Sequence, residues 1–124
     1  MSFTLVPKYG EATEVNVWAW RPTLALIHDA QLVDDENYER MGGNDGDGQV
    51  DAQTAWRIAD LIDRTVEKMK PGDRLLSDLS ITDEPEKQVI FKTPEDLAAG
   101  YSASREWLKT FSEFSRDSGG FGVF

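Results

Sequence analysis

The hydrophobic segment at positions 13–20 predicts a β-strand, in which successive side chains point to opposite faces. The segment is rich in the β-branched and aromatic residues that strands favour. Its two faces are Val15, Val17 and Ala19 on one side and Asn16, Trp18 and Trp20 on the other. Since both faces are largely apolar, we expect this strand to be covered on both sides. Residues 3–9 predict an earlier, weaker strand that breaks at Pro7.

The pattern changes to helical spacing after Arg21. Pro22 suits the first turn of a helix, where its missing N–H costs nothing, so we expect short helices over about 22–31 and 34–41. Residues 42–50 contain four glycines, a density that neither helices nor strands tolerate. We therefore expect a loop between these helices and the next element.

The most regular pattern in the chain follows Asp51, which we expect to cap the N-terminus of a helix. Apolar residues recur there every three or four positions: Ala55, Ile58, Ala59, Ile62, Val66 and Met69. This spacing predicts an amphipathic helix with one buried stripe. Pro71 and Gly72 predict its end.

Two further strands are predicted over Leu75–Ile81 and Gln88–Lys92, as a hairpin with a turn between them. Thr93 then predicts the cap of a final helix that ends at residues 118–120. Its apolar face is formed by Leu97, Tyr101, Trp107, Leu108, Phe111 and Phe114. Residues 121–124 are expected to pack back onto the fold or to add an edge strand.

Together these elements predict the α+β class. The length of 124 residues fits one domain, residues 1–124, and 40% hydrophobic residues are enough to fill its core. In the expected architecture, two long amphipathic helices cover one face of a small, mostly antiparallel sheet.

Composition excludes several classes of function. The chain has no Cys and one His, which excludes thiolate zinc sites, cysteine nucleophiles and multi-histidine metal centres. Its net charge of −10 argues against a protein that coats nucleic acid or an anionic membrane. The N-terminus lacks the pattern of a secretory signal, and no apolar run approaches the roughly 20 residues of a membrane span. We therefore expect a cytoplasmic protein that uses no cofactor.

Most of the negative charge lies in one segment. Residues 29–51 contain eight acidic residues and a single basic one, Arg40, for a net charge of −7. This concentration favours a surface that binds a cationic protein, although a merely solvated acidic face would look the same. Trp56 would supply an aromatic anchor beside it. The predicted partner-binding residues are Asp34, Asp35, Glu36, Glu39, Asp45, Asp47 and Trp56.

The end of this segment also resembles the calcium loop of EF-hand and dockerin proteins. Asp45, Asp47 and Asp51 fall at oxygen-ligand positions when Gly48 is aligned with the sharp turn of such a loop. Gly43 and Thr54 stand where the first and last ligands are required, which removes the two strongest anchors. The alternative is a flexible glycine-rich connection without a metal.

Three other positions are candidates for chemistry. Trp18, Trp20 and Arg21 could form an aromatic and cationic platform for a small ligand, or the two rings could fill the core. His28 is the only side chain suited to proton transfer near neutral pH, with Asp29 adjacent in sequence. A surface or capping role is the alternative for His28, and the Gly-x-Ser-x-Gly motif of serine hydrolases is absent.

Two segments are similar to a family of small uncharacterised bacterial proteins. They are Asn16–Pro22, with the pattern N-x-W-x-W-R-P, and Trp107–Phe121, with W-x-x-x-F-x-x-F followed by S-G-G-F. The resemblance implies a single bacterial intracellular domain and no catalytic site. Some small acidic bacterial proteins of this kind are immunity proteins paired with toxins.

We therefore expect a non-enzymatic, acidic protein that binds another protein. The most specific version of this hypothesis is immunity-type binding of a basic toxin. The alternatives are a small enzyme or ligand binder with a pocket near Trp18, Trp20 and Arg21, and a degenerate calcium-loop module over residues 43–54.

Overall fold

The computed structural model describes residues 2–43, 45–84 and 101–124. Over these residues the chain forms seven strands and four helices. The strands are β1 (Ser2–Pro7), β2 (Thr13–Asn16), β3 (Gly48–Asp51), β4 (Arg74–Leu76), β5 (Ile81–Thr82), β6 (Ser102–Ser104) and β7 (Gly120–Val123). The helices are α1 (Val17–Asp29), α2 (Asp35–Met41), α3 (Ala52–Glu67) and α4 (Arg105–Asp117). The predicted α+β class is confirmed, but the strands form two antiparallel sheets where one was expected.

The larger sheet has the strand order β2-β1-β7-β3, with every neighbouring pair antiparallel. The C-terminal segment was expected to supply an edge strand at most, yet β7 lies inside the sheet. It pairs Val123 with Leu5 of β1 on one side and Phe121 with Val50 of β3 on the other. Its residues are all buried. Phe121 packs against Phe111 and Phe114 of α4, and the side chains of Gln49 and Phe124 lie over Gly122.

Residues 48–50 were predicted as loop because of the glycine density, and this part of the prediction is wrong. They form β3 and pair with β7. The glycine at position 48 has a packing reason, since a Cβ there would lie 2.7 Å from backbone atoms of Met41 in α2. A close approach of two backbones therefore explains a residue that sequence patterns associate with loops.

The smaller sheet has the order β5-β4-β6. The predicted single strand over 75–81 is wrong, because the chain reverses within it. Leu79 adopts a left-handed backbone with φ of 70°, and its N–H bonds to the carbonyl of Leu76. The hairpin is thus β4–β5. The other predicted strand, 88–92, lies outside the described residues.

The final helix was predicted from Thr93, but α4 begins at Arg105. The Ser104 hydroxyl accepts a hydrogen bond from the Trp107 N–H at 3.0 Å and caps the helix there. Tyr101 precedes β6 and is therefore not on the face of α4. The predicted cap Thr93 and the predicted core residue Leu97 lie outside the described residues.

The strand predicted over 13–20 ends at Asn16, where α1 begins. The Asn16 side chain accepts a hydrogen bond from the Ala19 N–H at 2.9 Å, which is the geometry of a helix N-cap. Pro22 consequently lies inside the helix and not at its start. The aromatic and β-branched residues of this segment favour a strand. The N-cap bond and the burial of Trp20 outweigh that preference, so the segment is helical.

The core forms between the larger sheet and the helices. The predicted stripe of α3 is confirmed as buried, together with Met69 just beyond the helix. It meets α4, and Leu108 and Phe111 are the fully buried residues of the predicted apolar face there, whereas Trp107 and Phe114 are partly buried. In the described ranges, no helix is both long enough and apolar enough to span a bilayer.

Candidate functional site

Helix α2, its N-cap and the loop that follows the helix carry a series of exposed carboxylates. The Asp34 side chain caps this helix by accepting a hydrogen bond from the Asn37 N–H at 2.7 Å. Asp35 and Glu36 occupy the first turn, where the helix dipole favours negative charge. All six predicted acidic partner-binding residues are exposed. We call this set the acidic face: Asp34, Asp35, Glu36, Glu39, Asp45 and Asp47.

Little of this negative charge is neutralised by the chain itself. Arg40 pairs with Glu36 at 2.5 Å, one helical turn away. Asp35 is hydrogen-bonded to the imidazole of His28 at 2.7 Å. Among the described residues, no other basic side chain lies within ion-pair distance of the acidic face. A region with this much uncompensated charge attracts cations and basic proteins.

The three proposed calcium ligands have separate local roles. The Asp45 carboxylate accepts a hydrogen bond from the Asp47 N–H at 3.2 Å, and Asp51 caps α3 by accepting one from the Thr54 N–H at 2.7 Å. The bonds from Thr54 lower the pKa of Asp51. Within the described ranges, no three His, Asp or Glu side chains converge closely enough to hold a metal ion. The calcium-loop hypothesis stays a prediction.

Trp56 is 52% exposed near the start of α3, as expected of a contact residue. Its ring lies under the guanidinium of Arg116 from α4, 4.5 Å from the ring centroid. Arg116 also pairs with Asp60 at 3.1 Å and with Asp63 at 2.7 Å. These carboxylates raise the pKa of Arg116. Trp56 therefore belongs to a cluster that joins α3 and α4.

The predicted platform of Trp18, Trp20 and Arg21 divides between two sides of α1. Trp20 is 1% exposed, packs edge-on against Phe111 at 5.6 Å, and donates its Nε1–H to the Met41 carbonyl at 2.8 Å. Trp18 is partly buried against Tyr101, with ring centroids 4.7 Å apart. Residues two apart on a helix point in nearly opposite directions, so the expectation that both rings share one face is wrong.

Cavities remain near these residues. One of about 320 Å³ lies beside Trp18 and Trp107. Another of about 340 Å³ is bounded by Trp20 and Arg21 of α1, by Phe3, and by Tyr38 and Gly42. The Arg21 guanidinium lies 5.8 Å from the Tyr101 ring. A ligand site next to Trp20 and Arg21 therefore stays a prediction.

A larger cleft, of about 530 Å³, opens beside the acidic face between α1, α2 and the β4–β5 turn. Its wall contains the ring of His28, which stacks on the ring of Tyr38 with centroids 3.9 Å apart and planes 14° from parallel. The imidazole Nε2 lies 2.7 Å from the Asp35 carboxylate. The partner of His28 is thus Asp35, seven residues along the chain, and not the adjacent Asp29.

The opposite wall of the cleft comes from the β4–β5 turn. Ser77 and Asp78 line it. The hydroxyl of Ser80 donates to the Asp78 carboxylate at 2.6 Å, and this bond lowers the pKa of Asp78 and keeps it ionised. The Ser77 Oγ is buried and has no hydrogen-bond partner among the described residues. It therefore forms no nucleophile–base pair with His28.

Sequence reasoning missed Tyr38, Ser77 and Asp78. Tyr38 lies on the weakly patterned α2, and the other two were assigned to the interior of a strand. No local pattern relates them to His28, because the β4–β5 turn lies about 50 residues farther along the chain. The polar pair Ser77 and Asp78, between apolar residues, was the only sequence signal of a turn in the segment 75–81.

Comparison of the chain with protein-family models, with curated proteins and with solved structures finds no match. The resemblance to small bacterial proteins consequently stays a prediction. The geometry of the acidic face and of the adjacent cleft is the basis for a functional proposal.

Proposed function

We propose that this protein binds a basic protein partner through the acidic face. The observation that carries the proposal is the exposure of all six carboxylates of this face, against which the described part of the chain places only Arg40 and His28. Such a face repels itself, and a partner with complementary charge relieves the repulsion.

The local structure supports this proposal because it holds the charges in place. Asp34 is held by its capping bond, and Asp35 by His28. A preorganised charged surface steers a basic partner into the correct orientation and raises the association rate. The most specific version of this proposal is that the protein neutralises a basic toxin. Trp56 offers apolar contact area beyond the acidic face.

A fluorescent oligoarginine peptide tests the proposal as a model of a basic surface. The variant Glu39→Lys/Asp47→Lys reverses two carboxylates of the acidic face that take part in no ion pair within the described ranges. The matched control Glu11→Lys/Glu113→Lys reverses two exposed acids elsewhere, and both variants change the net charge from −10 to −6.

We expect the first variant to bind the peptide about tenfold more weakly than the wild type, and the control to change the affinity by less than about twofold. Raising NaCl to about 0.5 M should weaken wild-type binding mainly through the association rate. Equal losses in the two variants, or binding that is insensitive to salt, would show that the acidic face is not the contact surface.

A further inference from the structure

The cleft beside the acidic face has the charge of a cation site. Its lining includes the carboxylates of Asp29, Asp35 and Asp78, and none of the described residues that line it is Lys or Arg. These three acids come from the end of α1, the start of α2 and the β4–β5 turn. A volume of about 530 Å³ lies within the range of pockets that enclose small organic groups.

The rings of the cleft add a requirement for shape. His28 and Tyr38 both line the cleft and stack face to face, so each ring keeps one outer face for a ligand. The contact of Nε2 with Asp35 holds the imidazole in this orientation. The His28 side chain is 37% exposed, so the ring is accessible to a ligand. A planar cation stacks on such a ring face better than a tetrahedral ammonium group does.

The Ser77 hydroxyl is a second feature of the cleft. Its oxygen is buried and lacks a hydrogen-bond partner among the described residues, although Ser77 itself lines the cleft. A buried polar atom without a partner is uncommon in a folded protein. Rotation of this side chain into the cleft would let a ligand with several N–H groups satisfy the oxygen and the carboxylates together.

We propose that this cleft takes the guanidinium of an arginine side chain from the basic protein partner. The guanidinium is planar, carries five N–H donors, and pairs with carboxylates through two parallel hydrogen bonds. Asp35 belongs both to the cleft and to the acidic face, so an arginine inserted here anchors a chain that lies over α2. This inference rests on the proposed function and identifies the group that the partner inserts.

The single histidine of the chain provides a direct readout. The ring protons of His28 give one NMR signal set, which can be followed while oligoarginine, oligolysine or free arginine is added. Asp78→Asn removes one charge from the cleft and leaves the acidic face intact. Asp117→Asn, at the exposed end of α4, removes the same charge elsewhere and is the matched control.

We expect oligoarginine to shift the His28 signals and to bind more tightly than oligolysine of the same length. Asp78→Asn should weaken oligoarginine about fivefold, and Asp117→Asn less than about twofold. Ser77→Ala should weaken oligoarginine more than oligolysine, because only the guanidinium is assigned a bond to this hydroxyl.

Other outcomes overturn the proposal separately from the proposed function. If oligoarginine binds through the acidic face while the His28 signals and the Asp78→Asn affinity do not change, the cleft is not the arginine site and the proposed function stands. If oligolysine binds equally well, the assignment of arginine is wrong. If free arginine shifts the His28 NMR signals as strongly as the peptide does, at the same concentration of arginine residues, the cleft is a small-molecule site. If neither peptide binds, the proposed function fails.

Discussion

Trp18 and Trp20 show how two identical side chains, two positions apart, take different roles. The helix that begins at Val17 turns the Trp20 ring into the core, where it packs on Phe111 and bonds to the Met41 carbonyl, while the Trp18 ring lies partly exposed beside Tyr101. On a strand both rings would have shared one face. The difference in burial therefore follows from the start of a helix.

Trp20→Ala is expected to lower the free energy of unfolding by about 3–5 kcal/mol, because it removes a large buried ring and leaves a cavity. Trp18→Ala is the matched comparison and should cost about half as much or less, since its ring is partly exposed. Urea denaturation of both variants measures the two losses. Equal losses would contradict the helical placement of these residues.

Asp51 links helix stability to pH. Hydrogen bonds from Thr54 lower its folded-state pKa below the ordinary value of 3.8. Because the folded state favours the ionised form, the stability that this cap contributes is present above pH 3.8 and is lost as the pH falls through the lowered pKa. Acid therefore weakens the start of α3.

We predict that Asp51→Ala lowers the melting temperature at pH 7, and that its difference from the wild type shrinks as the pH falls below 3.8. Asp51→Asn is the control, because an amide oxygen also caps a helix but does not titrate. Its advantage over Asp51→Ala should persist in acid. Thermal melts of the three proteins across this pH range measure both effects, and a pH-independent wild-type advantage over Asp51→Ala would refute the linkage.

At the scale of elements, the contact between α3 and α4 depends on small residues. The Ser115 hydroxyl donates to the Ala55 carbonyl at 2.7 Å. The Ser112 hydroxyl donates to the Asp63 carboxylate and lies 3.4 Å from the Ala59 carbonyl. These bonds cross from one helix to the other, which requires a close approach of the two backbones. Ala55, Ala59 and Ser115 are fully buried at this contact.

Ala59→Leu should therefore destabilise the fold by about 1–3 kcal/mol, because the larger side chain has no room between the helices. Gln53→Leu, on the exposed side of α3, places the same side chain outside the contact and should change the free energy of unfolding by less than about 0.5 kcal/mol. Denaturant titration of the two variants tests the prediction. A tolerated Ala59→Leu would mean that the helices are not closely packed.

Secondary-structure prediction succeeded where the residues of a single element produce the pattern without help from the rest of the fold. The stripe of α3, the cap at Asp51 and the break near Pro71 are local signals, and the structure contains all three. Prediction was wrong where two signals competed. The aromatic residues after Asn16 favour a strand, whereas the Asn16 side chain favours a helix N-cap. The turn at Leu79 was not predicted, because apolar residues on both sides of it resemble one continuous strand.

For the molecule as a whole, the net charge of −10 is concentrated in residues 29–51, and its self-repulsion opposes folding. Glu39 is exposed and takes part in no ion pair within the described ranges. Its charge is therefore among those that screening by salt should relieve.

We expect the melting temperature to rise as NaCl increases from low concentration to about 0.3 M, as repulsion is screened. Glu39→Gln should raise the melting temperature at low salt by about 1–2 °C and reduce the effect of salt. Glu113→Gln, at an exposed position in the middle of α4 outside this segment, is the control. A melting temperature that falls with NaCl, or equal effects of the two variants, would contradict this account.

The sequence by itself determined the α+β class, the buried stripe of α3 and the acidic character of residues 29–51. These properties depend on composition and on spacing between neighbours in the chain. Only the tertiary structure decided that β7 lies inside the sheet and that His28 meets Asp35, Tyr38 and the turn at Ser77 and Asp78. Those contacts join residues far apart in the chain, and they form because packed elements enclose a common surface, which no local periodicity records.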